Sequence, residues 1–110
     1  MAALTYPFAI TRGTNLTLYL VVLTKEKALA DLSQATLTVT CSNAAGTVLW
    51  TKTTADPTQI AVTGLGKAEV YLLPADTLTA PTTMAYKLDI LDSLQRLYRL
   101  INPSSITVTP

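Results

Sequence analysis

A chain of 110 residues, of which 49% are hydrophobic and 14% charged, is long enough for one folded domain and too short for two cores of ordinary size. Its net charge of +1 creates no field that would attract nucleic acid or an anionic membrane. Histidine is absent, which excludes the commonest general base and any Ser-His-Asp or Cys-His catalytic group. The composition therefore favours a compact structural or binding module over an enzyme.

Alternating apolar and polar residues predict strands along the first half of the chain. Residues 1–8 are a short lead-in, and Ile10–Thr14 is typical of a strand end followed by a turn. Further strands are predicted from Asn15 to Val22, from Ala35 to Cys41, and from Thr47 to Thr53 with Val48 and Trp50 facing inward. The charged stretch at 24–27 is predicted to be an exposed loop.

The second half continues the same pattern. Short strands are predicted at 60–62 and 67–73 around a Gly-Leu-Gly turn, and the proline early in 73–78 favours a single helical turn. The clearest alternation runs from Tyr86 to Ile90, and Asp92-Ser93 is predicted to turn the chain back into an antiparallel partner that aligns Tyr98 with Tyr86.

Residues 93–101 admit a second interpretation. Leu94, Leu97, Tyr98 and Ile101 also recur at helical spacing, with Asp92 or Ser93 available as an N-cap. The strands predicted on both sides favour a strand. Asn102-Pro103 is then expected to end it, which leaves 102–110 as a separate terminal strand or tail.

About seven or eight short strands joined by Gly, Pro, Asn and Asp turns predict an all-β fold, an antiparallel immunoglobulin-like β-sandwich over residues 1–110. Threonine supplies more than a sixth of the chain. Since threonine is β-branched and its hydroxyl tolerates water, threonines that alternate with apolar residues are typical of an exposed sheet face.

The residues that could carry chemistry are few. Cys41 lies at an inward strand position and is predicted to be a core side chain with no companions for metal binding. Asp89 and Asp92 are interpreted as solvated acids near a strand end, and Gly64-Leu65-Gly66-Lys67 as a turn without the spacing of a phosphate loop. We therefore predict no catalytic residue, metal or cofactor.

Several apolar or aromatic side chains are predicted on outward faces that otherwise carry Thr, Lys and Asp, namely Tyr19, Tyr71, Leu91 and Leu97. Such residues mark either a contact surface or a face covered by another part of the chain. Trp50 is predicted to be the core tryptophan of the sandwich. Stacking of Trp50 and exposed tyrosines on sugars would make the protein an adhesion or carbohydrate-binding module, which is the alternative function.

Three stretches, Ile10–Asn15, Gly66–Thr77 and Tyr86–Ile90, together with Asp31-Leu32 between them, occur in an order that resembles the small β-sandwich domains of tailed-phage virions. The N-terminal domain of phage baseplate upper proteins is one example. The resemblance covers nearly the whole chain. It implies an immunoglobulin-like sandwich that serves as a non-enzymatic virion component.

This resemblance implies partners and a place of action. We expect the protein to bind other virion subunits through its sandwich surfaces and through the lead-in at 1–8 or the tail at 102–110. We also expect it to form a homo-oligomer and to contact neither nucleic acid nor membrane. Arg96 and Arg99 would orient the contacts that the four outward apolar residues make. A single domain of this type favours a capsid decoration (cement) protein or a small tail protein over a baseplate adaptor. With no signal peptide in the sequence, synthesis in the host cytoplasm and assembly into the virion are expected.

Overall fold

The computed structural model describes residues 7–23, 26, 28–92 and 94–110, apart from the side chain of Asn102. The predicted lead-in at 1–8 and the charged loop at 24–27 fall largely outside these ranges. The described residues form eight strands and one helical turn, which are β1 (Phe8–Thr11), β2 (Leu16–Val21), β3 (Thr36–Ser42), β4 (Val48–Thr53), β5 (Ile60–Gly64), β6 (Lys67–Leu72), α1 (Pro74–Thr77), β7 (Thr83–Leu91) and β8 (Leu97–Thr109).

The strands form two packed sheets, so the predicted all-β sandwich is confirmed. One sheet has the order β1-β8-β7-β3-β4 and the other has the order β2-β6-β5. The arrangement of β2-β6-β5 opposite β3-β7-β8 is that of strands B, E and D opposite C, F and G in immunoglobulin domains. All pairings are antiparallel except that of β1 with β8, which is parallel.

The core lies between the sheets and is built from alternate residues of each strand. β3 contributes Leu37, Val39 and Cys41, while its intervening threonines face outward and are partly exposed. Further buried side chains come from five other strands, β1, β5, β6, β7 and β8, namely Ile10, Ile60, Ala68, Val70, Leu72, Met84, Tyr86, Leu88, Ile90, Ile106 and Val108. The predicted alternation of apolar inward residues with outward threonines is therefore confirmed for β3.

The hairpin of β7 and β8 is a strand pair, so the strand interpretation of residues 93–101 is confirmed for 97–101, whereas 94–96 belong to the turn and Ser93 lies outside the described residues. Leu91 pairs with Leu97, and the Asp92 Oδ1 atom accepts the backbone N–H groups of Leu94 and Arg96 at 2.9 Å each. Gln95 completes the turn with φ 63°. Because the carboxylate satisfies two N–H groups of the loop, Asp92 sets the turn.

The predicted alignment of Tyr98 with Tyr86 is wrong. Tyr98 pairs with Ile90, whereas Tyr86 pairs with Ser104 further along β8. The register follows from the short turn after Leu91, which places the first residues of β8 opposite the last residues of β7. Tyr86 lies five residues before Leu91, so its partner lies correspondingly far along β8, at Ser104.

The prediction that Asn102-Pro103 ends the strand is also wrong, since β8 runs through it as one strand of 13 residues. The register changes between Leu88↔Ile101 and Tyr86↔Ser104, which leaves two residues of β8 opposite one residue of β7. Such an irregularity accommodates a proline, which has no N–H group to donate to the ladder.

On β4, the inward residues differ in part from those predicted. Trp50 packs against the core as predicted, but Val48 is 55% exposed and Lys52 is buried. The predicted helical turn α1 explains the burial, because the Lys52 Nζ atom lies 2.8 Å from the Asp76 Oδ2 atom. A buried lysine is tolerated where a carboxylate pairs with it.

The turn between β1 and β2 is fixed to the segment around α1. The Arg12 guanidinium donates to the backbone carbonyls of Thr77 and Ala80 at 2.9 and 2.6 Å, and the Gly13 N–H donates to the buried Thr77 hydroxyl. Gly13 has φ +72°, a conformation that favours glycine. The Arg-Gly pair therefore holds the point at which the chain leaves one sheet and enters the other.

Candidate interaction surfaces

The outer face of the three-stranded sheet carries both tyrosines that the sequence predicts to face outward. Tyr19 of β2 pairs with Glu69 and Tyr71 of β6 pairs with Thr17, so the two tyrosines are diagonal neighbours. Tyr19 is 77% exposed. Tyr71 is half-buried and donates its hydroxyl hydrogen to the Glu69 Oε2 atom at 2.6 Å, a bond that raises the pKa of Tyr71.

This apolar surface continues towards one end of the sandwich. Val21 is 63% exposed, and Leu23 and Leu29 form an isolated bridge beyond the end of β2. Leu65 lies exposed in the turn between β5 and β6, beside Gly66 with φ +66°. A Cβ atom on Gly66 would approach the Val22 carbonyl oxygen to 2.8 Å, so only glycine allows this turn to pack there.

Four further residues of this surface are large, apolar and exposed but were not predicted from the sequence as contact residues, namely Val21, Leu23, Leu29 and Leu65. Leu65 could have been found from its position between two glycines, because a leucine in a turn has no core to enter. Leu23 and Leu29 could not have been found, since their exposure depends on how the connection between β2 and β3 folds. We call the set of Tyr19, Val21, Leu23, Leu29 and Leu65 the β2 surface.

The second group of predicted residues lies around the β7–β8 hairpin. Leu97 and the neighbouring Leu94 are 68% and 69% exposed, whereas Leu91 is half-buried. The Arg96 Nε donates to the Asp92 Oδ2 at 2.8 Å, and the Arg99 Nε donates to the Asp89 Oδ1 at 2.6 Å. Both arginines are therefore already paired with carboxylates of the hairpin itself.

The carboxylate of Asp92 has an additional electrostatic role in this hairpin. The backbone N–H of Arg96 donates to it, and this bond is the main reason that the pKa of Asp92 lies below its ordinary value. The ionised carboxylate thus holds both the loop and the Arg96 side chain. The charged groups at this tip are already bonded within the hairpin, so its leucines are the side chains available to a partner protein.

The six predicted contact residues do not form one site. Tyr19 and Tyr71 lie on the outer face of the three-stranded sheet, whereas Leu91, Leu97 and Arg99 lie on strands of the five-stranded sheet. The two groups belong to different layers of the sandwich. A single flat partner cannot cover both outer faces at once, so they are two separate candidate surfaces.

Cys41 and Trp50, two side chains that could carry chemistry or binding, lie in the core or pack against it. Cys41 is fully buried with its Sγ atom 3.6 Å from the Met84 sulfur, and burial raises the pKa of its thiol to about 12. Trp50 is half-buried against the core, with the Lys52 ammonium 5.2 Å from its ring centroid. The buried, protonated thiol of Cys41 is not a nucleophile at neutral pH. Trp50 packs against the core, as predicted for the core tryptophan of the sandwich.

The described residues contain no group of three or more ligand side chains suited to a metal ion, and no helix among them is long and apolar enough to cross a membrane. The groove beside Ala35, Thr54, Ile60 and Val62 is shallow and has no ionisable side chain in its lining. Comparison with models of known protein families and with curated protein sequences finds no match.

Proposed function

We propose that the protein is a non-enzymatic structural subunit of a tailed-phage particle and acts by contact with other protein subunits. The observation that carries this proposal is the contrast between its surfaces. The outer face of β3 is made of partly exposed threonines, whereas the β2 surface presents a tyrosine, a valine and three leucines to solvent. Contiguous exposed apolar side chains are typical of protein contacts.

The phage assignment rests on the sequence resemblance, and one contact fits it. The resemblance joins Ile10–Asn15 with Gly66–Thr77, which are far apart in the chain. In the folded protein these stretches touch, because Arg12 and Gly13 of the first bind the carbonyl and hydroxyl of Thr77 in the second. The stretches that carry the resemblance thus include Arg12 and Thr77, whose contact positions β2 and the β2 surface.

The mechanism is burial of apolar area against neighbouring subunits. Removing a large side chain from water stabilises a complex by roughly 1.5–3 kcal/mol. Aromatic residues such as Tyr19 contribute strongly when they lie near the centre of an interface. Because the net charge is only +1, two copies or a copy and a neutral partner approach without strong repulsion.

The direct test is whether the chain is part of a particle. Particles released from cells that express the full chain are purified on a density gradient, and the chain is quantified in them by mass spectrometry. We expect it to sediment with the particles at a fixed ratio to the major capsid or tail subunit. The Tyr19→Lys variant is expected to remain in the soluble fraction, whereas Thr38→Lys, on the threonine face, is expected to sediment normally. A wild-type chain found only in the soluble fraction would contradict the proposal.

A further inference from the structure

Strand β2 is an edge strand with no neighbour on one side among the described residues. In an immunoglobulin domain with the order A-B-E-D, strand A covers this edge of strand B. Here the strand that precedes β2 is β1, and it pairs with β8 in the opposite sheet. The position beside β2 is therefore left without a strand from the part of the chain that the structure describes.

Two hydrogen bonds show which backbone groups face this open position. The Val22 N–H donates to the Gly66 carbonyl at 2.7 Å, and the Tyr71 N–H donates to the Gln59 carbonyl at 2.9 Å. Because bonding alternates along antiparallel strands, the even residues of β2 bond to β6. The N–H and C=O groups of Thr17, Tyr19 and Val21 therefore point away from β6, along the free edge.

The other three sheet edges carry features that oppose strand addition. β1 has only four residues and follows Pro7, and β4 has the inward-facing charge of Lys52. β5 has a register irregularity between Val62 and Gly64. Short strands, prolines, inward charges and bulges are the devices by which proteins protect edges. The sequence of β2, Leu-Thr-Leu-Tyr-Leu-Val, has no charge, proline or glycine and pairs regularly along its whole length.

The inner face of β2 is also incompletely covered. Its inward leucines, Leu16, Leu18 and Leu20, are only half-buried, whereas the residues that pair with them on β6 are no more than 2% exposed. The two strands belong to the same sheet and face the same core. The difference arises because β6 has a strand on each side and β2 does not, so another strand at this edge would cover the leucines.

We infer that the free edge of β2 pairs antiparallel with the same edge of a second copy of the chain, about a two-fold axis at Tyr19. This register places Tyr19 opposite Tyr19 and Thr17 opposite Val21, and it uses the N–H and C=O groups of all three residues. Leu18 then lies opposite Leu20 on the core side. The two three-stranded sheets become one continuous sheet with an isologous interface.

A second copy fits this edge because the strand is complementary to itself. Like charges directly opposite each other destabilise a strand pair, and β2 has none. On the outer face Tyr19 meets its own counterpart and Val21 meets Thr17 of the second copy, which buries part of the β2 surface. The inference rests on the proposed function in that it names one of the protein partners, a copy of the chain itself.

The test is light scattering on the purified full chain across a concentration series. We expect the mass to rise from one chain to two chains as the concentration increases. Tyr19→Pro removes an edge N–H without breaking the ladder to β6, and Tyr19→Lys places two ammonium groups opposite each other. Each is expected to weaken the dimer by about tenfold or more, because Tyr19→Pro removes a pair of hydrogen bonds across the two-fold axis and Tyr19→Lys introduces repulsion between like charges.

Tyr71→Lys is the matched control, because Tyr71 has the same side chain on the same outer face but lies on the inner strand β6. Urea unfolding of each variant separates loss of pairing from loss of the fold. An effect of Tyr71→Lys as large as that of Tyr19→Lys would overturn the inference, since the contact would then use the face and not the edge. A monomer at every concentration would also overturn it, and would assign the edge to residues 1–6 or to an extended segment of a different protein.

This measurement is independent of the particle experiment. If the chain forms dimers but is absent from particles, the β2 pairing is supported and the proposed function is contradicted. If the chain is a monomer that sediments with particles, the proposed function is supported and the β2 pairing is contradicted.

Discussion

Strands β2 and β4 are both six-residue edge strands, but only β4 is protected against the addition of another strand. β4 contains Lys52, which points inward and is paired with Asp76 in a nearly buried position. β2 contains only leucine, threonine, tyrosine and valine. An inward charge makes strand addition costly, because a new neighbour would have to bury it further. The difference teaches that the fold protects one edge with a buried ion pair and leaves the other open.

The largest expected effect concerns the two strands of the small sheet. Leu72 on β6 is almost fully buried, so Leu72→Ala is expected to lower the free energy of unfolding by about 2–5 kcal/mol. Leu18→Ala, on half-buried β2, is expected to cost less than half as much when measured by urea denaturation of the dilute chain. Equal losses of unfolding free energy would contradict the view that the inward leucines of β2 are only half-buried.

Lys52→Met is expected to lower the free energy of unfolding by about 3 kcal/mol, because it leaves the carboxylate of Asp76 poorly solvated and without its cation. The matched control is the double variant Lys52→Met with Asp76→Asn. The amide oxygen of the introduced asparagine can still accept the Leu73 N–H that Asp76 now accepts at 2.7 Å, so part of the stability should return. A double variant less stable than the single one would contradict this account of β4.

Arg12→Met is expected to cost about 2 kcal/mol, because it removes hydrogen bonds from a charged donor to the carbonyls of Thr77 and Ala80 while it keeps the aliphatic stem. These bonds fix the turn that sends the chain from β1 into β2. Arg96→Met serves as the comparison, since Arg96 is 60% exposed and its ion pair with Asp92 should contribute less than about 1 kcal/mol. Thermal or urea unfolding distinguishes the two, and equal losses would show that Arg12 does not anchor the turn.

The smallest expected effect depends on pH. Folding lowers the pKa of Asp92, so its ionised form stabilises the folded chain above the ordinary aspartate pKa of 3.8. This contribution is lost as the pH falls through the lower pKa of the folded state. Asp92→Ala is therefore expected to be less stable than the wild type at neutral pH, with a difference that narrows at acidic pH. A difference that stays constant from neutral pH to well below the ordinary aspartate pKa would contradict a role for the carboxylate charge.

Much of the sandwich could be predicted from the sequence because its strands alternate cleanly. Leu37, Val39 and Cys41 were correctly predicted to face the core, and their intervening threonines to face outward. Local pattern did not predict that β8 continues through Pro103, because that depends on a register change against β7. Nor did it predict the burial of Lys52, since its partner Asp76 lies in a later segment of the chain.

The candidate surfaces were predictable in the same partial way. Alternation alone assigned Tyr19 to an outward face, and it is the most exposed of the large apolar residues that the structure describes. That β2 lies at an edge could not be inferred from its own residues, because it follows from the pairing of β1 with the distant β8. The separation of the hairpin residues from the tyrosines likewise depends on the assignment of strands to two sheets.

The most direct test of the β2 edge is amide hydrogen exchange of the full chain, followed by NMR at a low and a high protein concentration. We expect the amides of Thr17, Tyr19 and Val21 to exchange rapidly in the dilute sample and slowly in the concentrated one, because only a second copy protects them. The amides of Leu18 and Leu20 bond to β6 and should be protected in both samples. If the three edge amides exchange at the same rate at both concentrations, the free edge of β2 is not where two copies meet.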